Sequence, residues 1–159
     1  MGNAVQAGKT CTATGFSCDI GGLTNGKTYT FQITAHNDQG TGAPATTTLA
    51  LPRAVTTTAF TKVSGTFKVG KTVTVAVRVA PTAGLLVAGV PNGKVTVKIG
   101  TKSFCTVTLS NGAGSCKVKL TKAHKTVTAK TAGRKLVATY TGAVSFAPST
   151  KTKSISAIK

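Results

Sequence analysis

Valines that alternate with polar residues over short stretches constrain this chain more than any other feature. Val73, Val75, Val77 and Val79 are interleaved with Thr72, Thr74 and Arg78, and Val95, Val97 and Ile99 with Lys94, Thr96 and Lys98. A two-residue period sends successive side chains to opposite faces of an extended strand, so each stretch should bury one face and wet the other. β-branched residues suit such a pleated, half-buried surface better than a helix. The pattern recurs at intervals of roughly ten residues. Val107 and Leu109 run toward Asn111-Gly112-Ala113-Gly114, and Val118 and Leu120 run back, with Lys117 and Lys119 pointing away. That arrangement signals a hairpin, with Cys105 and Cys116 at nearly matching distances from its turn. Leu136, Ala138 and Tyr140 form another inward row, and Ile155 with Ala157 the last. Short strands with such regular turns describe a β-sandwich, and the chain is expected to be all-β.

The charge is extreme and unevenly placed. Lys plus Arg number 20 against 2 acids, a formal net charge of +18. Both acids, Asp19 and Asp38, precede Pro52, and every Lys and Arg except Lys9 and Lys27 follows it. The first 52 residues therefore balance to zero, and the remainder carries all the net charge. That asymmetry suggests two units, residues 1–52 and 53–159, and points the second toward anionic partners.

Four Cys residues fall as two close pairs, Cys11 with Cys18 and Cys105 with Cys116. Neither has zinc-ligand spacing, and His36 and His124 are not placed to complete a site. An even count with local spacing in a β-rich chain argues for two disulfides and an oxidising compartment. Met1-Gly2-Asn3-Ala4-Val5 lacks the charged and apolar regions of an export signal. Disulfides without such a signal imply a piece of a longer exported protein, and no stretch is apolar enough for a membrane span.

Before Pro52, residues 9–20 read as two short strands around the turn Thr14-Gly15-Phe16-Ser17. An alternating strand, Thr28 to His36, places Tyr29, Phe31, Ile33 and Ala35 on one face. Asn37 to Pro44 reads as a loop and Ala45 to Leu51 as a last strand. Cys11-x6-Cys18, Gly22-Leu23-Thr24-Asn25-Gly26, Tyr29-Thr30-Phe31 and Ala35-x-Asn37-x2-Gly40-x-Gly42 together resemble the second half of bacterial fibronectin type III modules. The resemblance covers about residues 9–51. It implies a partial module holding the later strands, with Leu23 and Tyr29 as a tyrosine corner. The Arg-Gly-Asp that some members carry in the 37–44 loop is replaced by Asp38-Gln39-Gly40-Thr41, so integrin-type recognition lacks support.

Further on, Ala138-Thr139-Tyr140-Thr141-Gly142-x3-Phe146-x2-Ser149, the Gly93-Lys94-Val95-Thr96-Val97 strand and the Cys-flanked hairpin resemble bacterial Ig-like repeat domains. Coverage is about residues 55–158. The resemblance implies an immunoglobulin-like β-sandwich, preceded by the partial fibronectin type III sandwich. Gly142-Ala143 stands where the family often has Gly-Asp, which removes a carboxylate and weakens any metal inference.

Catalysis is disfavoured. A glycosidase needs two carboxyl groups held close together, and Asp19 and Asp38 sit beside an expected disulfide and in a loop. No Gly-x-Ser-x-Gly elbow is present, and the second unit offers calcium no carboxylate. No catalytic residue, cofactor or metal is expected. With no Trp and 5% aromatic residues, a sugar-stacking platform is disfavoured too. The positive signal is the lysines. Lys94 and Lys98 share one outward strand face and Lys117 and Lys119 another. Lys122, Lys125, Lys130, Arg134 and Lys135 line the approach to the next strand. Such rows bind anionic polymers through charge.

The sequence therefore predicts a non-catalytic spacer or adhesion segment of a bacterial cell-surface or secreted protein. Its expected contacts are an anionic envelope polymer and neighbouring domains of the parent. The alternative is an accessory region of a secreted polysaccharide hydrolase. Nucleic-acid binding rests on charge alone.

Overall fold

A computed structural model describes residues 9–13, 15, 17–47, 50–82 and 89–159. The chain divides between Arg53 and Ala54 into two compact units.

Among the described residues of the first unit, strand pairing is sparse. Gln32–Ile33 (β1), His36–Asn37 (β2), Gly40–Thr41 (β3) and Ala45–Thr46 (β4) are two residues each. β1 pairs with β4 and β2 with β3, both antiparallel, and a bridge joins Tyr29 to Ala50. Tyr29 is buried, and its hydroxyl accepts a hydrogen bond from the Thr24 backbone N–H at 2.8 Å. The expected inward row thins along its length. Phe31 is half-buried, Ala35 is exposed and Ile33 is 64% exposed, because no second sheet covers them within the described part of this unit.

Two expectations for this unit need correction, and a third is met in part. The described residues between 9 and 20 form no strand, since the short Cys11–Cys18 loop is polar and has no alternating apolar row to pack. The expected loop 37–44 holds the β2–β3 hairpin, and the expected Ala45–Leu51 strand is paired at β4 and at Ala50. Thr14, Phe16, Thr48 and Leu49 of the expected turn and strand lie outside the described residues.

The second unit is a two-sheet sandwich. Thr56–Gly65 (β5), Thr72–Pro81 (β6), Gly93–Ile99 (β7), Lys102–Leu109 (β8) and Ala113–Lys119 (β9) are followed by a helix, Lys122–Ala129 (α1), and a 3-10 turn, Thr131–Gly133. Lys135–Tyr140 (β10) and Ser149–Ser154 (β11) complete it. The sheets have strand orders β5-β6-β9 and β11-β10-β7-β8, with every pairing antiparallel. Val73, Val75, Val77 and Val79 face Val95, Val97, Ile99, Leu136, Ala138 and Tyr140 in one core.

β8 and β9 are not a continuing hairpin. Asn111 and Gly112 have φ of 50° and 74°, the positive pair that a tight type I′ turn requires. Ser110 and Ala113 exchange both backbone hydrogen bonds, after which β8 continues beside β7 and β9 beside β6. The Cys105–Cys116 disulfide therefore joins opposite sheets. Close approach there depends on Gly114, where a Cβ would strike the Thr108 carbonyl and the Val107 side chain. At the other side of the sandwich hydroxyls make the seam. Thr56 Oγ1 lies 2.8 Å from both the Ala147 carbonyl oxygen and Ser149 Oγ, and Thr58 Oγ1 lies 2.7 Å from Ser149 Oγ.

The final strand also differs from expectation. β11 ends at Ser154, and Ile155 and Ala157 lie beyond it, half-buried, while Ile158 enters the core. The register pairs Lys151 with Ala138 and Lys153 with Leu136, which puts both lysines on the core-facing side of this edge strand. Both remain exposed. Inside the unit, Thr128 is fully buried. Its hydroxyl lies 3.2 Å from the His124 carbonyl and 3.1 Å from that of Lys125, and accepts the Ile158 N–H at 3.1 Å. The equally buried Tyr140 hydroxyl has no hydrogen-bond partner, and burial pushes its pKa above the ordinary tyrosine value.

Candidate polyanion-binding faces

Alternation decides where each lysine goes. On β7, burial of Val95, Val97 and Ile99 leaves Lys94 and Lys98 on the outer face of the four-stranded sheet. On β9, Cys116 and Val118 pair with Val75 and Val73, so Lys117 and Lys119 stand on the outer face of the three-stranded sheet. The two lysine pairs named from the sequence thus occupy opposite sides of the sandwich. One ligand lying flat on either sheet cannot reach both.

Two further cations join Lys117 and Lys119. Arg78 is the outward residue of β6 across from Ala113, and it is exposed. Lys62 lies on β5 across from Ala76, also outward and exposed. Arg78 was visible in the alternation as a polar residue between valines. Lys62 was hidden. Thr56, Thr58 and Phe60 point inward, and strict alternation would send Lys62 inward with them. A β-bulge between Phe60 and Lys62 shifts the register, so Val63 turns in and Lys62 turns out.

The cluster from Lys122 to Lys135 is carried largely by α1, where the sequence reading expected a strand approach. The helix starts with a capping box in which His124 Nδ1 accepts the Thr121 N–H at 3.2 Å. Lys122 and Lys125 are exposed on α1, Lys130 follows its last turn, and Lys135 opens β10. Arg134 is partly committed to the fold. Its Nε donates to the Thr128 carbonyl at 3.1 Å and its Nη2 to the Ala129 carbonyl at 3.3 Å, where a cation suits the carbonyl end of a helix.

Asp19 and Asp38 are exposed in the first unit, and His36 Nδ1 lies 2.9 Å from Thr41 Oγ1 across the β2–β3 pair. His124 meets the Phe104 ring edge-on at 5.5 Å. Among the described residues, no three His, Cys, Asp or Glu side chains gather at a metal-binding distance, and no helix is long and apolar enough to cross a membrane. No family model, curated protein or solved structure matches the chain.

Proposed function

We propose that this chain is a non-catalytic spacer or adhesion segment of a bacterial cell-surface or secreted protein, and that its second unit contacts anionic envelope polymers. The first unit is read as the later part of a fibronectin type III module and the second as an immunoglobulin-like domain. The Thr24–Tyr29 hydrogen bond supports the first assignment. Seven strands in two antiparallel sheets, with β6 to β7, β8 to β9 and β9 to β10 crossing between them, support the second. Two disulfides support an oxidising, extracellular setting.

One observation carries the polymer reading. From Ala54 onward the chain has no carboxylate side chain, while cations stand exposed on both sheets and on α1. No internal acid neutralises them, so the unit's field falls on whatever anion approaches. The test is a titration of the chain against teichoic acid, a neutral glucan and duplex DNA over a salt series. Binding to teichoic acid that weakens steeply with salt is expected. Salt-insensitive binding to the glucan would favour a hydrolase accessory instead. Absence of binding to any polyanion at low salt would remove the polymer reading.

A further inference from the structure

The outward positions of the three-stranded sheet form four successive cross-strand rows. They are Ala59–Arg78–Ala113, Lys62–Ala76–Ser115, Ser64–Thr74–Lys117, and Thr72 with Lys119. Each row holds one cation. Outward residues along a strand repeat at about 7 Å and neighbouring strands lie about 4.8 Å apart, so the four charges advance one row at a time over roughly 20 Å along the strands, while crossing from β6 to β5 and then to β9. Between them stand Ala59, Ala76, Ala113, Ser64, Thr72, Thr74 and Ser115, all small. The longer Lys and Arg side chains rise above a low floor that a polymer can approach, with hydroxyls beside them as further donors.

The opposite sheet is not built this way. Lys94 and Lys98 are separated by an uncharged row, Thr150–Thr139–Thr96–Thr106, which opens an interval of about 14 Å in the middle of that face, with Lys135 in the row beyond Lys98. α1 offers no sheet pitch at all.

Resting on the anionic-polymer reading above, we infer that the outer face of β5-β6-β9 is the docking surface, and that Arg78, Lys62, Lys117 and Lys119 form a charge ladder for one extended polyphosphodiester chain. The chemistry fits a phosphodiester joined by small polyol spacers. Lysine binds phosphate as a point charge without demanding planar geometry, and Arg78 adds a two-pronged contact at one end. The face carries no aromatic side chain, whereas single-stranded nucleic acid is gripped by stacking its bases on aromatic rings. Spacers that need no stacking platform suit the floor of Ala, Ser and Thr.

The experiment uses the oxidised full chain and 1,3-linked poly(glycerol phosphate) of defined lengths, with affinity measured across a salt series. Four contacts on a flexible chain predict a log–log salt slope near −2.8, or a loss of roughly fifty-fold between about 50 and 200 mM salt. Replacing Lys62, Arg78, Lys117 and Lys119 together with Gln should remove most of that slope, while Lys94→Gln with Lys98→Gln should leave it nearly unchanged. A charge-preserving variant, Ser115→Lys with Lys117→Ser, crowds two cations into one row and empties the next. It should weaken binding about tenfold at unchanged net charge. Chains of fewer than four repeats should bind more weakly than longer ones. Equal losses from the two Gln sets, or wild-type affinity in the charge-preserving variant, would overturn the ladder and leave the polymer reading standing. Equal or tighter binding of oligo-dT or polyglutamate would overturn the assignment to a polyol phosphate. Failure of the wild type to bind any polyanion would sink the underlying reading itself.

Discussion

Cys105 on β8 and Cys116 on β9 are bonded across opposite sheets, with Cα atoms 6.4 Å apart, although both strands spring from the same two-residue turn. The bond ties two edge strands that share a single ladder pair, Ser110 with Ala113. Its contribution comes largely from restricting the unfolded chain. For a sequence separation of 11 that amounts to about 2–3 kcal/mol. Replacing both cysteines with Ser is expected to lower second-unit stability by that amount in urea. A loss below about 0.5 kcal/mol would show that the seam is held by packing instead.

Tyr140 should tolerate loss of its hydroxyl. That group is fully buried and unpartnered, so its desolvation is uncompensated. Tyr140→Phe is expected to stabilise the second unit by about 1–2 kcal/mol. The advantage should grow with alkalinity. Burial raises the folded-state pKa above the ordinary value, so the unfolded tyrosine ionises first. Wild-type stability from this group is complete below the unfolded pKa of about 10 and falls as pH rises toward the folded value. Parallel denaturant curves at pH 8 and above pH 10 check this, and a Phe variant less stable than wild type would contradict it.

Thr128 should not tolerate the equivalent change. Its hydroxyl accepts the Ile158 N–H and donates within α1, joining the helix to the C-terminal segment. Thr128→Val keeps the shape and strands a buried N–H, at an expected cost of about 1–3 kcal/mol. Hydrogen exchange at Ile158 should accelerate more than at Val75. Uniform acceleration at both would mean that the bond is not local to this tether.

The two units should differ in protection. Strands of two residues with an exposed Ile33 leave backbone hydrogen bonds open to solvent, whereas β6 is hydrogen-bonded on both sides. Amides at Gln32, Ile33 and Thr46 are expected to exchange orders of magnitude faster than those at Val75 and Val77. Comparable protection would require stabilising contacts beyond those of the first unit's described residues.

The sandwich core was legible because period-two valines report burial directly, and Asn111-Gly112 announced its turn by chemistry. What escaped was everything that depends on a partner. A tight turn looks the same whether its strands keep pairing or part company, so the division of β8 and β9 between sheets was invisible. β5 was obscured by its bulge, which breaks parity just where Lys62 would have been noticed. α1 was missed because Thr126, Val127 and Thr128 are β-branched and its first turn has no acid. In the first unit the alternation was real, but burial of Ile33 requires a covering layer that the residue pattern does not encode. Of the candidate face's four cations, Lys117 and Lys119 were legible as outward residues of one strand and Arg78 only as a polar residue between valines, and nothing in the sequence put Lys94 and Lys98 on the far side.

Lys151 and Lys153 project from β11 toward the interior side of its sheet while remaining wet. A neighbouring molecule that tried to extend the sheet past β11 would have to trap both ammonium groups beneath its own added strand, without a carboxylate from this unit to receive them. Many copies held side by side, as on a crowded polymer, would therefore stay individually folded instead of fusing edge to edge into fibres.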